Sequence, residues 1–107
     1  MALPPGMKVT FVDRPELAET FVDSFESFMF NNNLLRLEMC CIRFQTPTPP
    51  AQPAGRKVPV ARIVMPLETT VELFNQLNQL FGALEKTGLI RKEESGAFVA
   101  PPGQKSH

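Results

Sequence analysis

Hydrophobic and polar residues alternate most clearly in the segment from Leu34 to Phe44. Every second residue there is apolar: Leu35, Leu37, Met39 and Cys41. A period of two places such side chains on one face of a β-strand. The segment is therefore predicted to be a strand with one buried face.

The preceding segment, Thr20 to Phe30, is rich in phenylalanine, and its pattern fits two structures. Near-helical spacing of apolar residues and a capping aspartate leave a helix open for residues 13–25, whereas the phenylalanine-rich end favours a strand. We favour the strand. Asn31 to Asn33 tolerate positive φ angles, so a three-residue loop is predicted to bring Phe30 opposite Leu34 in an antiparallel hairpin.

In that register both faces of the hairpin carry apolar side chains. On one face, Phe25 and Met29 lie with the alternating apolar residues of the second strand, Leu35 to Cys41. The other face is the predicted interface, formed by Val22, Phe28, Phe30, Leu34, Ile42 and Phe44. One helix covers only one side of a sheet, so an identical subunit is the expected cover for the second side.

A third strand and a long helix are predicted next. Val58 to Met65 has strand character, with Pro59 near its start, where a missing N–H is tolerated. From Pro66 to Thr87 the apolar residues recur at helical spacing, and Gly88 is a suitable left-handed stop. The stripe consists of Val71, Leu73, Phe74, Leu77, Leu80, Phe81 and Leu84.

The remaining segments read as connections. Residues 1–19 are predicted to be a loose arm, residues 20–90 a single domain with a proline-rich loop at 45–57, and residues 91–107 a disordered tail. The predicted fold class is α+β. An antiparallel sheet of about three strands, a hairpin plus a third strand, is expected to be packed by one long C-terminal amphipathic helix and completed by homo-oligomerisation.

Length and charge narrow the functional classes. A chain of 107 residues leaves about 70 for a core, a size that usually needs a disulfide, a metal or a partner. Lysine and arginine number 11, as do aspartate and glutamate, so the net charge is zero, which disfavours nucleic-acid binding. The sequence shows no secretory signal pattern and no apolar run of about 18 residues, and its two cysteines are adjacent. We therefore expect a cytoplasmic protein without a membrane partner.

The order of elements resembles a widespread bacterial domain-of-unknown-function family. The resemblance rests on three segments: Phe21-Val22-Asp23, Leu35-Arg36-Leu37-Glu38, and Val60 to Pro66 leading into a helix. It covers about residues 16–90 and implies a fold, with no activity or catalytic residue to carry over. Strands followed by a helix also look faintly like the subunit of SecB-type export chaperones, although a fourth strand and a second helix are lacking.

Few residues offer catalytic chemistry. The single histidine is His107, glycine-rich phosphate loops are absent, and ligands for zinc are too few. We expect no catalytic residue, no metal and no cofactor. Cys40 is the candidate reactive thiol, and the alternative is that Cys41 is a small core residue with Cys40 an ordinary residue on the other face.

Arg36, Glu38 and Arg62 form the candidate partner anchor. They lie together if the second and third strands are neighbours. One interpretation is a cross-strand ion pair on a solvated face; the other is an anchor for a carboxylate or phosphate of a partner.

These observations favour a non-catalytic homo-oligomeric module that binds or scaffolds another protein, with a dimer as the first guess. The motivation is apolar surface in excess of what one copy buries. A thiol-dependent sensor or small enzyme centred on Cys40 is one alternative. A nucleic-acid-associated regulator is another, disfavoured by the neutral charge.

Overall fold

A computed structural model describes residues 3–50 and 52–101 of the chain. These residues divide into two compact units, one ending at Glu68 and the other beginning at Thr69. The first unit holds a three-stranded antiparallel sheet, and the second holds most of a long helix and a short hairpin. The predicted α+β class, with three strands and one long helix, is confirmed.

The sheet consists of β1 (Ser24–Asn31), β2 (Leu34–Gln45) and β3 (Ala54–Pro66), with β2 in the centre. Residues 3–23 contain no helix or strand, so the helical alternative for residues 13–25 is wrong. The third strand starts earlier than predicted, at Ala54, because the proline-rich connection is shorter than the expected loop at 45–57. Long pairing of β2 with β3 therefore extends the sheet beyond the hairpin.

The turn between β1 and β2 differs from the predicted one. Asn32 and Asn33 have φ angles of 51° and 63°, and Asn31 pairs directly with Leu34. Positive φ at both central positions is the requirement of a two-residue type I′ hairpin turn, which asparagine tolerates. Phe30 consequently lies opposite Leu35, and the predicted pairing of Phe30 with Leu34 is wrong by one residue.

The pairing of β1 with β2 also changes register within the strands, between Phe25 and Ser27. An extra residue in one strand reverses the alternation of side chains beyond it. Phe25 is thereby brought to the same face as Phe28, and the two rings meet edge to face with centroids 5.3 Å apart. A second shift, in β3 between Pro59 and Ala61, leaves Val60 without a β2 partner.

The helix α1 spans Leu67–Thr87, one residue shorter at its start than predicted. Glu68 lies in its first turn and Lys86 in its last, as the helix dipole favours. The helix ends as predicted at Gly88, whose φ angle is 82°. The N–H of Gly88 donates to the Glu85 carbonyl and that of Leu89 to the Leu84 carbonyl, which is the Schellman pattern.

A small hairpin follows the helix. Its strands are β4 (Arg91–Lys92) and β5 (Phe98–Val99), and the Phe98 ring packs edge to face on Phe81 of α1 with centroids 5.0 Å apart. Residues 91–92 and 98–99, which fall in the predicted disordered tail, are therefore strands. Residues 102–107, which include His107, lie outside the described part of the chain.

Candidate functional site

One face of the sheet is apolar, and the observed register decides its membership. Phe28 pairs with Leu37 and Phe30 with Leu35, and paired residues of antiparallel strands share a face. The same alternation continues into β3, where Ile63 lies opposite Leu37. This apolar face comprises Phe25, Phe28, Phe30, Leu35, Leu37, Met39, Ala61, Ile63 and Met65.

Most of the apolar face is accessible in the single chain. Leu37 at its centre is only 5% exposed, but Phe25, Phe28 and Phe30 on β1 are 50%, 64% and 52% exposed. Three half-exposed phenylalanines side by side are unusual on a surface that meets only water. The apolar face is therefore a candidate interaction surface.

The six residues predicted to form one interface do not share a face. Phe28 and Phe30 lie on the apolar face, whereas Leu34, Ile42 and Phe44 alternate with them on the opposite side of β2. Val22 precedes β1 and belongs to neither set. The six residues therefore do not form one surface as predicted, because a one-residue change of register transfers a whole strand to the other side.

The helix carries a second accessible apolar surface. Five residues of its stripe are exposed: Val71, Leu73, Phe74, Leu77 and Leu80. Further along, Phe81 and Leu84 are partly buried. The part of α1 that precedes Phe81 therefore presents apolar side chains to solvent.

The opposite side of the sheet is polar at its centre. Glu38 pairs with Arg62 in register, and the Arg62 Nε donates to the Glu38 Oε2 at 2.7 Å. Arg36 lies two residues before Glu38 on β2, and its Nη1 donates to the Asn31 Oδ1 at 2.6 Å. The predicted grouping of Arg36, Glu38 and Arg62 is thus found on one surface, which we name the polar face.

A concave site of about 270 Å³ lies on this polar face. It is lined by Ser27, Met29, Arg36, Glu38, Arg62 and Val64, together with Leu37 and Ile63 of the strands beneath. Met29 and Val64 flank Arg36 because both pair with it across the sheet. Asn31, Met29 and Val64 were not predicted from the sequence as members of this site. They are identified by the observed turn and by the strand register, which place all three beside Arg36.

The two thiols differ in accessibility. The sequence predicted Cys41 as the core residue and Cys40 as the candidate reactive thiol, and the structure shows the opposite order of burial. Cys40 is 1% exposed and is a core residue, whereas Cys41 is partly exposed and its Sγ donates to the Phe21 carbonyl at 3.2 Å. Burial raises the pKa of the Cys40 thiol, and the Glu38 carboxylate adds to the increase. A raised pKa lowers the thiolate fraction, so this environment does not activate Cys40 as a nucleophile.

Comparison with protein-family models, with curated proteins and with solved structures gave no match. The resemblance to a domain-of-unknown-function family stays a prediction. Within residues 3–50 and 52–101, no cluster of three or more histidine, cysteine, aspartate or glutamate side chains is arranged to hold a metal ion. No helix in the same residues is long and apolar enough to span a membrane.

Proposed function

We propose that the chain is a non-catalytic homo-oligomeric module, a dimer in its simplest form, that binds or scaffolds another protein. The observation that carries the proposal is the apolar face, with its three half-exposed phenylalanines. Burying such side chains against another surface is the main source of association free energy between proteins. A second copy has the same apolar face, and two-fold symmetry would bring the two identical faces together.

The accessible rings of the apolar face support a second copy as the occupant. Phe25, Phe28 and Phe30 are 50%, 64% and 52% exposed, so at about 150–250 Å² for each aromatic side chain they offer about 250–400 Å² in one copy and about 500–800 Å² in two. Stable interfaces bury about 1,200–2,000 Å² in total, so the three rings would supply the apolar centre of such an interface rather than its whole area.

We also propose that the protein acts in the cytoplasm. The support is that Cys40 and Cys41 are both free thiols, which persist in a reducing compartment.

The test compares two phenylalanines that the register places on opposite faces of the sheet. Phe28→Glu puts a charge into the apolar face, whereas Phe44→Glu changes an exposed ring outside it. We expect light scattering coupled to size exclusion to show an oligomer for the native chain and for Phe44→Glu. For Phe28→Glu it should show a monomer, because a buried unpaired charge opposes association.

A native chain that remains monomeric at all concentrations would contradict the proposal. So would dissociation by Phe44→Glu with Phe28→Glu unaffected, since that result would favour an interface on the opposite side of the sheet, which carries Leu34, Ile42 and Phe44.

A further inference from the structure

If a second copy covers the apolar face, the opposite face of the sheet stays accessible to a partner. We propose that this polar face binds a carboxylate group on a polypeptide segment of the partner protein, through Arg36 and Arg62. The inference rests on the proposed binding function and assigns its recognition site. It concerns a surface that the oligomer leaves open.

Both guanidinium groups are held in place and retain unused donors. Arginine has five N–H donors, and among the described residues Arg62 uses its Nε toward Glu38 while Arg36 uses Nη1 toward Asn31. The Nη groups of Arg62 and the Nε and Nη2 of Arg36 have no acceptor in that part of the chain. Such planar donor pairs bind carboxylates with two parallel hydrogen bonds.

The charge of the site selects between anions. Arg36 and Arg62 contribute two positive charges, and Glu38 removes one of them. The remaining single positive charge complements one carboxylate. A phosphate dianion would exceed this single positive charge, and the Glu38 carboxylate would repel its two charges more strongly than the single charge of a carboxylate.

The size and the flanks of the site favour a peptide group over a free small molecule. Pockets for small ligands usually measure about 300–1,000 Å³, and this one is smaller, at about 270 Å³. Met29 and Val64, both more than half exposed, border Arg36 and offer apolar contact beside the charge. An aspartate or glutamate side chain next to an apolar residue matches this combination.

The experiment is a fluorescence anisotropy titration of the full chain with labelled peptides. The probe is an aspartate flanked by leucines, and its isosteric control carries asparagine in place of aspartate. A third peptide carries phosphoserine at the same position. We expect the aspartate peptide to bind about tenfold or more tightly than the asparagine peptide, as charge-assisted hydrogen bonds do.

Four variants locate the site. Arg62→Gln and Arg36→Gln should each weaken aspartate-peptide binding about tenfold, and Arg62→Lys should restore little of it because lysine lacks the planar fork. Arg56→Gln is the matched control. Arg56 lies on the same strand as Arg62 but pairs with Arg43 at the far end of the sheet, so its loss should leave binding unchanged.

Equal affinity for the aspartate and asparagine peptides, no measurable binding, or an equal effect of Arg56→Gln would overturn the proposal. Tighter binding of the phosphoserine peptide would overturn the assignment of a carboxylate. Light scattering on the same samples separates this inference from self-association: a monomer that still binds the peptide refutes the oligomer alone, whereas an intact oligomer without binding refutes the recognition site.

Discussion

Cys40 shows how burial controls the chemistry of a single residue. Its thiol is almost inaccessible, and its pKa is raised above the ordinary value of about 9 by burial first and by Glu38 second. In the unfolded chain neither influence remains. As pH increases, the unfolded chain therefore loses the Cys40 proton before the folded chain does.

This order of proton loss predicts a pH-dependent stability. The contribution of Cys40 to the unfolding free energy is fully present below the unfolded pKa, about 9, and disappears as pH rises through the higher folded value. We expect the denaturation midpoint, measured by far-ultraviolet circular dichroism, to fall above about pH 9. Cys40→Ala should reduce this slope while Cys41→Ala retains it; an unchanged slope in Cys40→Ala would contradict the interpretation. The absolute stability of Cys40→Ala is not the readout, because the substitution also leaves a cavity.

The candidate anchor was partly predictable at this scale because two of its three members, Arg36 and Glu38, lie on one strand. Arg36 and Glu38 are two positions apart, so any strand places them on one face whatever its register. The Asn31 partner of Arg36 was not predictable in the same way. It depends on the turn geometry, which puts Asn31 beside Leu34 rather than in the loop.

At the scale of elements, two glycines of the second unit provide a matched pair. Gly88 ends α1 with a φ angle of 82°, whereas Gly82 lies within the helix. A Cβ added at either position meets nothing within 4 Å, so neither substitution creates a clash. The two sites therefore differ only in backbone conformation.

We expect Gly88→Ala to destabilise the protein by about 1–2 kcal/mol, the cost of the left-handed conformation for a residue with a Cβ. Gly82→Ala should stabilise it by about 0.5–1 kcal/mol, because alanine loses less backbone entropy in a helix. Chemical denaturation followed by circular dichroism measures both changes. Equal effects of the two substitutions would show that the Gly88 conformation does not contribute to the helix end.

The part of the fold that could not be predicted from the sequence is which side chains share a face of the hairpin. The three strands of the sheet and the helix were predictable, because their periods of two and about 3.6 are local properties. The identity of each face depended on whether the asparagine turn holds two residues or three. That difference moved Phe28 and Phe30 to the side of Leu35 and Leu37. The register shift after Phe25 then brought a third phenylalanine to the same side, and no local pattern marks it.

At the scale of the whole molecule, each of the two units has few buried apolar side chains. Among the described residues, those of the first unit are Leu37 and Cys40, and the helix α1 of the second unit has none. A hydrophobic core is the main favourable term that opposes the loss of chain entropy on folding. In the proposed oligomer, another copy supplies part of the stabilising burial.

Folding that is coupled to association makes stability depend on protein concentration. For a dimer, each tenfold increase in concentration should raise the free energy of unfolding by about 1.4 kcal/mol per mole of dimer. We expect the urea midpoint of the native chain, measured by circular dichroism, to rise accordingly across a dilution series. Phe44→Glu should show the same dependence, and Phe28→Glu should unfold at a lower midpoint that no longer changes with concentration. A concentration-independent midpoint in the native chain would mean that the single copy is stable by itself with its phenylalanines in water.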